Sequence, residues 1–179
     1  MRVVEHDLPG VLTFHPVVHR DERGYFTRTW DRAVAAQAGL PEFVQDSQSR
    51  SRQGVVRGLH LRSGGGEGKL VRCARGRIWD VVLDLRRSSP TFRQWRGFDL
   101  DDVDNVVLFV PRGCAHGWQA ISDQADVCYR IDAEHDPAED LTIAFDDPQA
   151  GVAWPAPVTV VSERDRRGST LQAVLDLLD

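Results

Sequence analysis

The chain has 179 residues, 41% apolar and 27% charged, with a net charge of −5 at pH 7 and a pI near 5.7. That length and mix describe a soluble globular chain able to bury a core, and the acidic balance argues against a nucleic-acid polymer or an anionic membrane as partner. The three cysteines, Cys73, Cys114 and Cys128, are odd in number and none sits in a CxxC pair. A disulfide framework or zinc ribbon is disfavoured, and reduced thiols are expected. The opening residues lack a basic stretch followed by an apolar run, and nothing approaches the ~20 apolar residues of a membrane helix. The expected compartment is the cytoplasm.

From the N-terminus onward, short runs rich in Val, Ile, Phe and Trp are punctuated by Gly, Pro, Asp and Asn. They fall at 11–19, 24–30, 54–62, 69–74, 77–86, 94–100, 105–111, 117–121, 125–131, 141–145 and 158–161. Many short strands at this spacing predict an all-β sandwich or barrel. Helical periodicity is confined to two places. Asp31 can cap a run of alanines ending at Ala38. In the tail, about 169–178, Leu171, Val174, Leu175 and Leu178 fall at i, i+3, i+4 and i+7, an amphipathic stripe that predicts a packing face. The glycine-rich run 64–68 lacks the spacing of a phosphate-binding loop and reads as a flexible hairpin turn.

Ionisable residues inside apolar strands carry the chemical information. Alternation puts Gly58 and His60 on one face of their strand and Leu59 and Leu61 on the other. In 77–86, Ile78, Asp80, Val82 and Asp84 share one face, and Trp79, Val81, Leu83 and Leu85 share the other. Both faces are largely apolar, so Asp80 points into the interior or a pocket. A carboxylate there needs a partner, and His60, His116, Lys69 and Arg57 are candidates. A purely structural ion pair satisfies the pattern equally well.

The run VPRGCAHGW at 110–118 resembles the second half of the metal-binding cupin signature, in which the histidine is a ligand. The first half is not matched: His60 is followed two residues later by Arg62, and Glu67 is the only nearby carboxylate. Two histidines without a placed carboxylate fall short of the usual three protein ligands, so no metal is expected. No serine-histidine-aspartate nucleophile motif is present. A histidine, a lysine and a tyrosine suit proton transfer instead, the histidine as base, the lysine beside an enolate oxygen, the tyrosine as acid.

Taken together, six blocks in fixed order resemble the dTDP-4-dehydrorhamnose 3,5-epimerase family over roughly residues 1–165. They are DERGYFTRTW at 21–30, FVQDSQSRS at 43–51, GVVRGLH at 54–60, GKLVRCARGRIWDVVLDLRRSSPTF at 68–92, VPRGCAHGW at 110–118, and DP, VAWP and SERD within 147–165. The resemblance implies one cupin-type jelly-roll β-barrel domain with a few short peripheral helices, spanning 1–179, and a homodimer without cofactor. It implies a dTDP-4-keto-6-deoxyhexose substrate, inverted at C3 and C5 by proton abstraction beside the C4 ketone. His60 would be the base, Asp165 its orienting partner, Lys69 the cation at the enolate oxygen and Tyr129 the acid. Asp80 and His116 would line or support the pocket. Arg23, Phe26, Gln45, Ser47 and Arg57 would hold the nucleotide and its diphosphate, some of them reaching across to the partner subunit.

The chain departs from the family where Ser47 stands for the usual asparagine, Arg28 for glutamate, and His135 for a second tyrosine at the pocket. His135 belongs with the substrate-binding set and is the residue that bears on whether both carbons react. The alternatives are an epimerase acting on C3 alone, a 3,4-ketoisomerase, a non-catalytic sugar-binding cupin and a metal-dependent cupin.

Overall fold

The computed structural model describes residues 1–178. The strands in chain order are β1 (Arg2–Glu5), β2 (Leu12–His15), β3 (Val18–Asp21), β4 (Gly24–Thr27), β5 (Gln45–Arg52), β6 (Val56–Arg62), β7 (Lys69–Arg75), β8 (Arg77–Asp84), β9 (Trp95–Asp101), β10 (Val107–Val110), β11 (Cys114–Ala120), β12 (Gln124–Ile131) and β13 (Asp140–Thr142). Three short helices are α1 (Arg32–Gln37), α2 (Glu163–Arg166) and α3 (Leu171–Leu177). The order β1-β2-β10-β7-β12-β5 forms a six-stranded sheet and β13-β6-β11-β8-β9 a five-stranded one, and β3 pairs with β4 alone. Pairing within each sheet is antiparallel. The two sheets pack face to face as a cupin-type jelly-roll barrel.

Side-chain alternation sorts the apolar residues into three layers. Val71, Cys73, Leu108, Val110 and Val127 of the larger sheet meet Ile78, Val82, Leu100, Cys114 and Trp118 of the smaller one in the central core. Leu59, Leu61, Val81, Leu83 and Ala115, on the outer face of the smaller sheet, are covered by Leu171, Val174 and Leu175 of α3. Phe14, Leu70, Val107 and Phe109, on the outer face of the larger sheet, are covered by Trp30, Val34, Leu40 and Phe43. The tail stripe is thus a packing face, and β8 is buried on both sides as its sequence predicts. Asp31 caps α1 by accepting from the Ala33 and Val34 N–H groups, and Thr170 caps α3 by accepting from Ala173 N–H.

Two expectations need correcting, and one strand carried no apolar signal. Residues 45–52, almost wholly polar, form β5, an edge strand that pairs only with β12; an edge strand facing solvent has no need of apolar alternation. Residues 158–161 form no strand beyond a single parallel bridge between Val56 and Val161, since Pro155 and Pro157 precede them and have no N–H to donate. Residues 63–68 are not a hairpin turn, because they carry the chain from β6 in one sheet to β7 in the other.

Gly58 lies at the tightest approach of β6 to β11. Its φ is +137°, and a Cβ there would stand 2.5 Å from the Gly117 Cα. The β6–β11 register shifts between His116 and Trp118 at the same place. We predict that Gly58→Ala destabilises the fold by more than the about 1–3 kcal/mol of the backbone conformation alone. Urea unfolding checks this: the midpoint should fall with little change in m, and an unchanged midpoint would show that the two strands can separate without cost.

Candidate active site

Between the sheets, at one open end, lies a cavity of about 310 Å³ lined by residues of both. The smaller sheet contributes His60 from β6 and His116 and Trp118 from β11; the larger contributes Ser47 and Ser49 from β5, Lys69 from β7 and Tyr129 from β12. His60 and His116 are cross-strand neighbours, and Tyr129 sits opposite Ser47 on β5 and Val71 on β7. Arg57 joins them, although simple alternation would put it on the opposite face from His60; the irregularity at Gly58 re-aims it. Its Nε donates to Ser51 Oγ at 3.0 Å, and its guanidinium lies 5.8 Å from the Trp118 ring centre.

Asp165 is held behind His60. Ser162 caps α2 by accepting from Asp165 N–H, and this single turn aims the carboxylate at β6. One oxygen lies 2.6 Å from His60 Nε2 and the other accepts from Gly58 N–H at 3.2 Å. Burial alone would raise the Asp165 carboxyl, but the bonds and charge from His60 and Gly58 N–H hold it below the usual carboxylate range. An ionised carboxylate only accepts, so Nε2 is the donor in this bond and Nδ1 is not engaged by Asp165.

Asp80 is fully buried, with both oxygens within 3.0 Å of His116 Nε2. Burial pushes its carboxyl up, against the pull of His116 and Lys69. Of the candidate partners, His116 makes the bond. Its ring also meets Tyr129 edge to face, with centres 6.4 Å apart.

The Tyr129 phenol is pushed up to about 12 by burial, against its hydrogen bonds with Ser49 and Trp118. The Trp118 indole donates to Tyr129 Oη at 2.6 Å, and Ser49 Oγ lies 3.3 Å away. An indole N–H cannot accept, so the phenolic hydrogen is directed elsewhere. Lys69 is buried beside them and pairs with Glu67 at 2.9 Å. Among the described residues, no group of three or more His, Cys, Asp or Glu side chains is placed to hold a metal ion.

One cavity therefore gathers His60, Lys69, Tyr129, Ser47, Arg57, His116 and His135, with Asp165 and Asp80 supporting it from behind. Three predicted residues stand apart. Arg23 and Phe26 are on the β3–β4 hairpin, where Phe26 is 71% exposed and Arg23 is paired with Asp21. Phe26 and Arg28 share a separate depression, and Gln45 lines another with Trp30 and Arg130. A larger hollow of about 960 Å³, walled by His6, Thr13, His15 and Phe98 among others, contains none of the predicted residues.

Trp118, Ser49, Asp140 and Arg164 also line the site, beyond the residues expected from the sequence. Trp118 stands two residues after His116 and Ser49 two after Ser47, so alternation carried a signal for both. Arg164 adjoins Asp165 and reaches Asp140 at 3.2 Å, a pairing visible only in the folded chain.

The fold and the pocket define a cupin-type barrel with a cavity of ionisable side chains between its two sheets. The dTDP-4-dehydrorhamnose 3,5-epimerase family model matches residues 5–173. A dTDP-4-dehydrorhamnose 3,5-epimerase of Methanothermobacter thermautotrophicus is 41% identical, the match covering 96% of this chain and 95% of that one. The epimerase structure from Mycobacterium tuberculosis superposes with a TM-score of 0.93 at 36% identity, covering 99% of this chain and 92% of that one. A dTDP-6-deoxy-D-glucose-3,5-epimerase from Legionella pneumophila in complex with dTDP-4-keto-L-rhamnose superposes at 0.91 with 32% identity, covering 99% and 94%. The chain belongs to the dTDP-4-dehydrorhamnose 3,5-epimerase family.

The protonation of Tyr129 can be read directly. The chain has two tyrosines, so Tyr25→Phe leaves Tyr129 as the only one. We predict that phenolate absorbance in this variant stays flat through the ordinary tyrosine value of 10.0 and rises only towards about 12. A transition centred at the ordinary value would mean the phenol is not desolvated.

Proposed function

We propose that the chain epimerises a dTDP-linked 4-keto-6-deoxyhexose at C3 and C5. What carries this reading is the origin of the acid–base groups: His60 comes from one sheet and Tyr129 from the other, so a sugar lying between them meets a base on one side and an acid on the other. The C4 ketone acidifies the hydrogens on both neighbouring carbons. His60 takes the proton through the ring nitrogen that Asp165 leaves free, and the C–H electron pair moves into a carbon–carbon double bond as negative charge reaches the C4 oxygen. Lys69 neutralises that charge. Tyr129 gives its proton to the opposite face, and the ketone re-forms with the carbon inverted. Repetition at the other carbon completes the reaction.

In this reading Asp165 is a positioning residue, Asp80 and His116 brace the wall beside Tyr129, and Ser47, Arg57 and His135 contact substrate. The exposed Arg23 and Phe26 act in a homodimer, where a second copy brings the β3–β4 hairpin to the neighbouring pocket. Gln45 contributes to the nucleotide site at the edge of β5. The chain acts as one domain, and a soluble sugar-nucleotide substrate puts the work in the cytoplasm. No helix of the described residues is long and apolar enough to cross a membrane.

The test is incubation with dTDP-4-keto-6-deoxyglucose in D₂O, followed carbon by carbon by NMR. Deuterium should enter C3 readily and C5 more slowly. Exchange at C3 alone would make the protein a single-centre epimerase, with His135→Tyr the substitution to restore the second step; binding without exchange would make it a sugar-binding cupin. His60→Ala should retain the wild-type circular dichroism spectrum and lose activity near the upper end of the about 10²–10⁴-fold range of general bases. Lys69→Met should lower kcat by about 10²–10³-fold with little change in KM, because the charge it meets exists only on the way to the transition state. A raised KM at constant kcat would make Lys69 a phosphate anchor instead.

A further inference from the structure

Lys69 lies at the buried end of a chain of charges that the proposed reaction leaves unused. Glu67, two residues earlier in the 63–68 crossing, meets Lys69 Nζ through Oε1 at 2.9 Å. Its other oxygen is 3.4 Å from Arg62 Nη1. Arg62 itself is buried at the end of β6, two residues after His60. It donates to the Glu134 carbonyl at 2.7 Å and to Glu139 at 2.7 Å. The crossing is bound to the same segment by its backbone, with Ser63 N–H donating to Glu139 O at 3.0 Å and Gly68 N–H to Asp132 Oδ1 at 2.7 Å.

We propose that Glu67 is the positioning residue for Lys69, held in place by Arg62. The proposal rests on the reading of Lys69 as the cation at the enolate oxygen. A lysine on a four-carbon stem samples many rotamers, and a buried ammonium without a counter-charge is driven to seek water. The glycine-rich crossing before it offers few side chains to confine it. Glu67 supplies both the counter-charge and a fixed acceptor, leaving two N–H donors of Nζ for substrate. Arg62 and Glu139 complete a set of two cations and two anions that is neutral before substrate arrives. Arg62 also links the lysine to the 134–139 segment, which brings His135 to the pocket. The arrangement fixes the cation where negative charge will develop, and it does so before that charge exists.

Glu67→Ala should lower kcat by about ten- to a hundredfold, the scale of an ångström-sized misplacement, while KM moves by less than about threefold. Glu67→Gln keeps an oxygen for Nζ with nearly the same volume but not the counter-charge, and should recover part of that loss. In a Lys69→Met background, Glu67→Ala should change kcat by less than about twofold, because a residue acting through Lys69 has nothing left to act on. Thermal melts accompany each variant, and Glu67→Gln serves if Glu67→Ala fails to fold. Wild-type kcat in Glu67→Ala, or the same fractional loss with and without Lys69, overturns the proposal. Wild-type kcat in Lys69→Met overturns the reading of Lys69 and this proposal together, whereas a slow Lys69→Met beside a normal Glu67→Ala overturns this proposal alone.

Discussion

Removing a charge from water is unfavourable unless a partner meets it at once, and the buried charges at the mouth of this barrel include Asp80, Asp165 and Lys69. Each is met: Asp80 by His116, Asp165 by His60 and a backbone N–H, Lys69 by Glu67. The partners do not act alike. At Asp165 desolvation is outweighed by the bond and charge of His60 together with the Gly58 N–H, and its carboxyl is carried down, whereas at Asp80 desolvation prevails and the carboxyl rises. Tyr129, which has no cation bonded to it, rises as well, to about 12. One apolar enclosure therefore keeps an anion beside the histidine and a neutral acid on the facing sheet, and both states come from which hydrogen bonds accompany burial.

The enclosure rests on strands that are packed on both faces. β8 is buried on both faces and anchors the smaller sheet between the central core and α3. β6 lies on the mouth side of that sheet and has room to depart from regular pairing at Gly58, which lets Arg57 and His60 serve one cavity despite their odd spacing. The site thus stands on a rigid wall with one local irregularity, the combination that holds side chains in place without filling the space that a ligand needs.

Much of this was legible in the sequence because the informative residues broke a pattern. Asp80 among Ile78, Val82 and the leucines of β8 announced a buried carboxylate, and the stripe of Leu171, Val174 and Leu175 announced a covered sheet face. The family blocks gave the rest of the inner set. Illegible features were those in which local composition and tertiary role part company. β5 is built of Gln, Ser and Arg because its edge faces solvent, so no apolar alternation revealed it. The run at 158–161 has strand composition, yet its backbone bonds only Gly54 and Val56, at the entry to β6. The Glu67–Arg62–Glu139 chain joins residues 77 apart in sequence between Arg62 and Glu139, a distance across which no local rule operates.

The bond from Trp118 to Tyr129 bears on how the protein resets after a turnover. In the proposed reaction each inversion moves a proton from carbon to His60 and a different one from Tyr129 to carbon, so the protein ends charge-separated, with an imidazolium on one sheet and a phenolate on the other. The Trp118 N–H already donates to the phenolic oxygen and would solvate the phenolate there. In that reaction recharging is a proton relay, outward from His60, which is part-exposed, and inward to Tyr129, whose oxygen Ser49 on the edge strand approaches at 3.3 Å. The catalyst carries a memory of its last event until that relay runs, and the second carbon must wait for it.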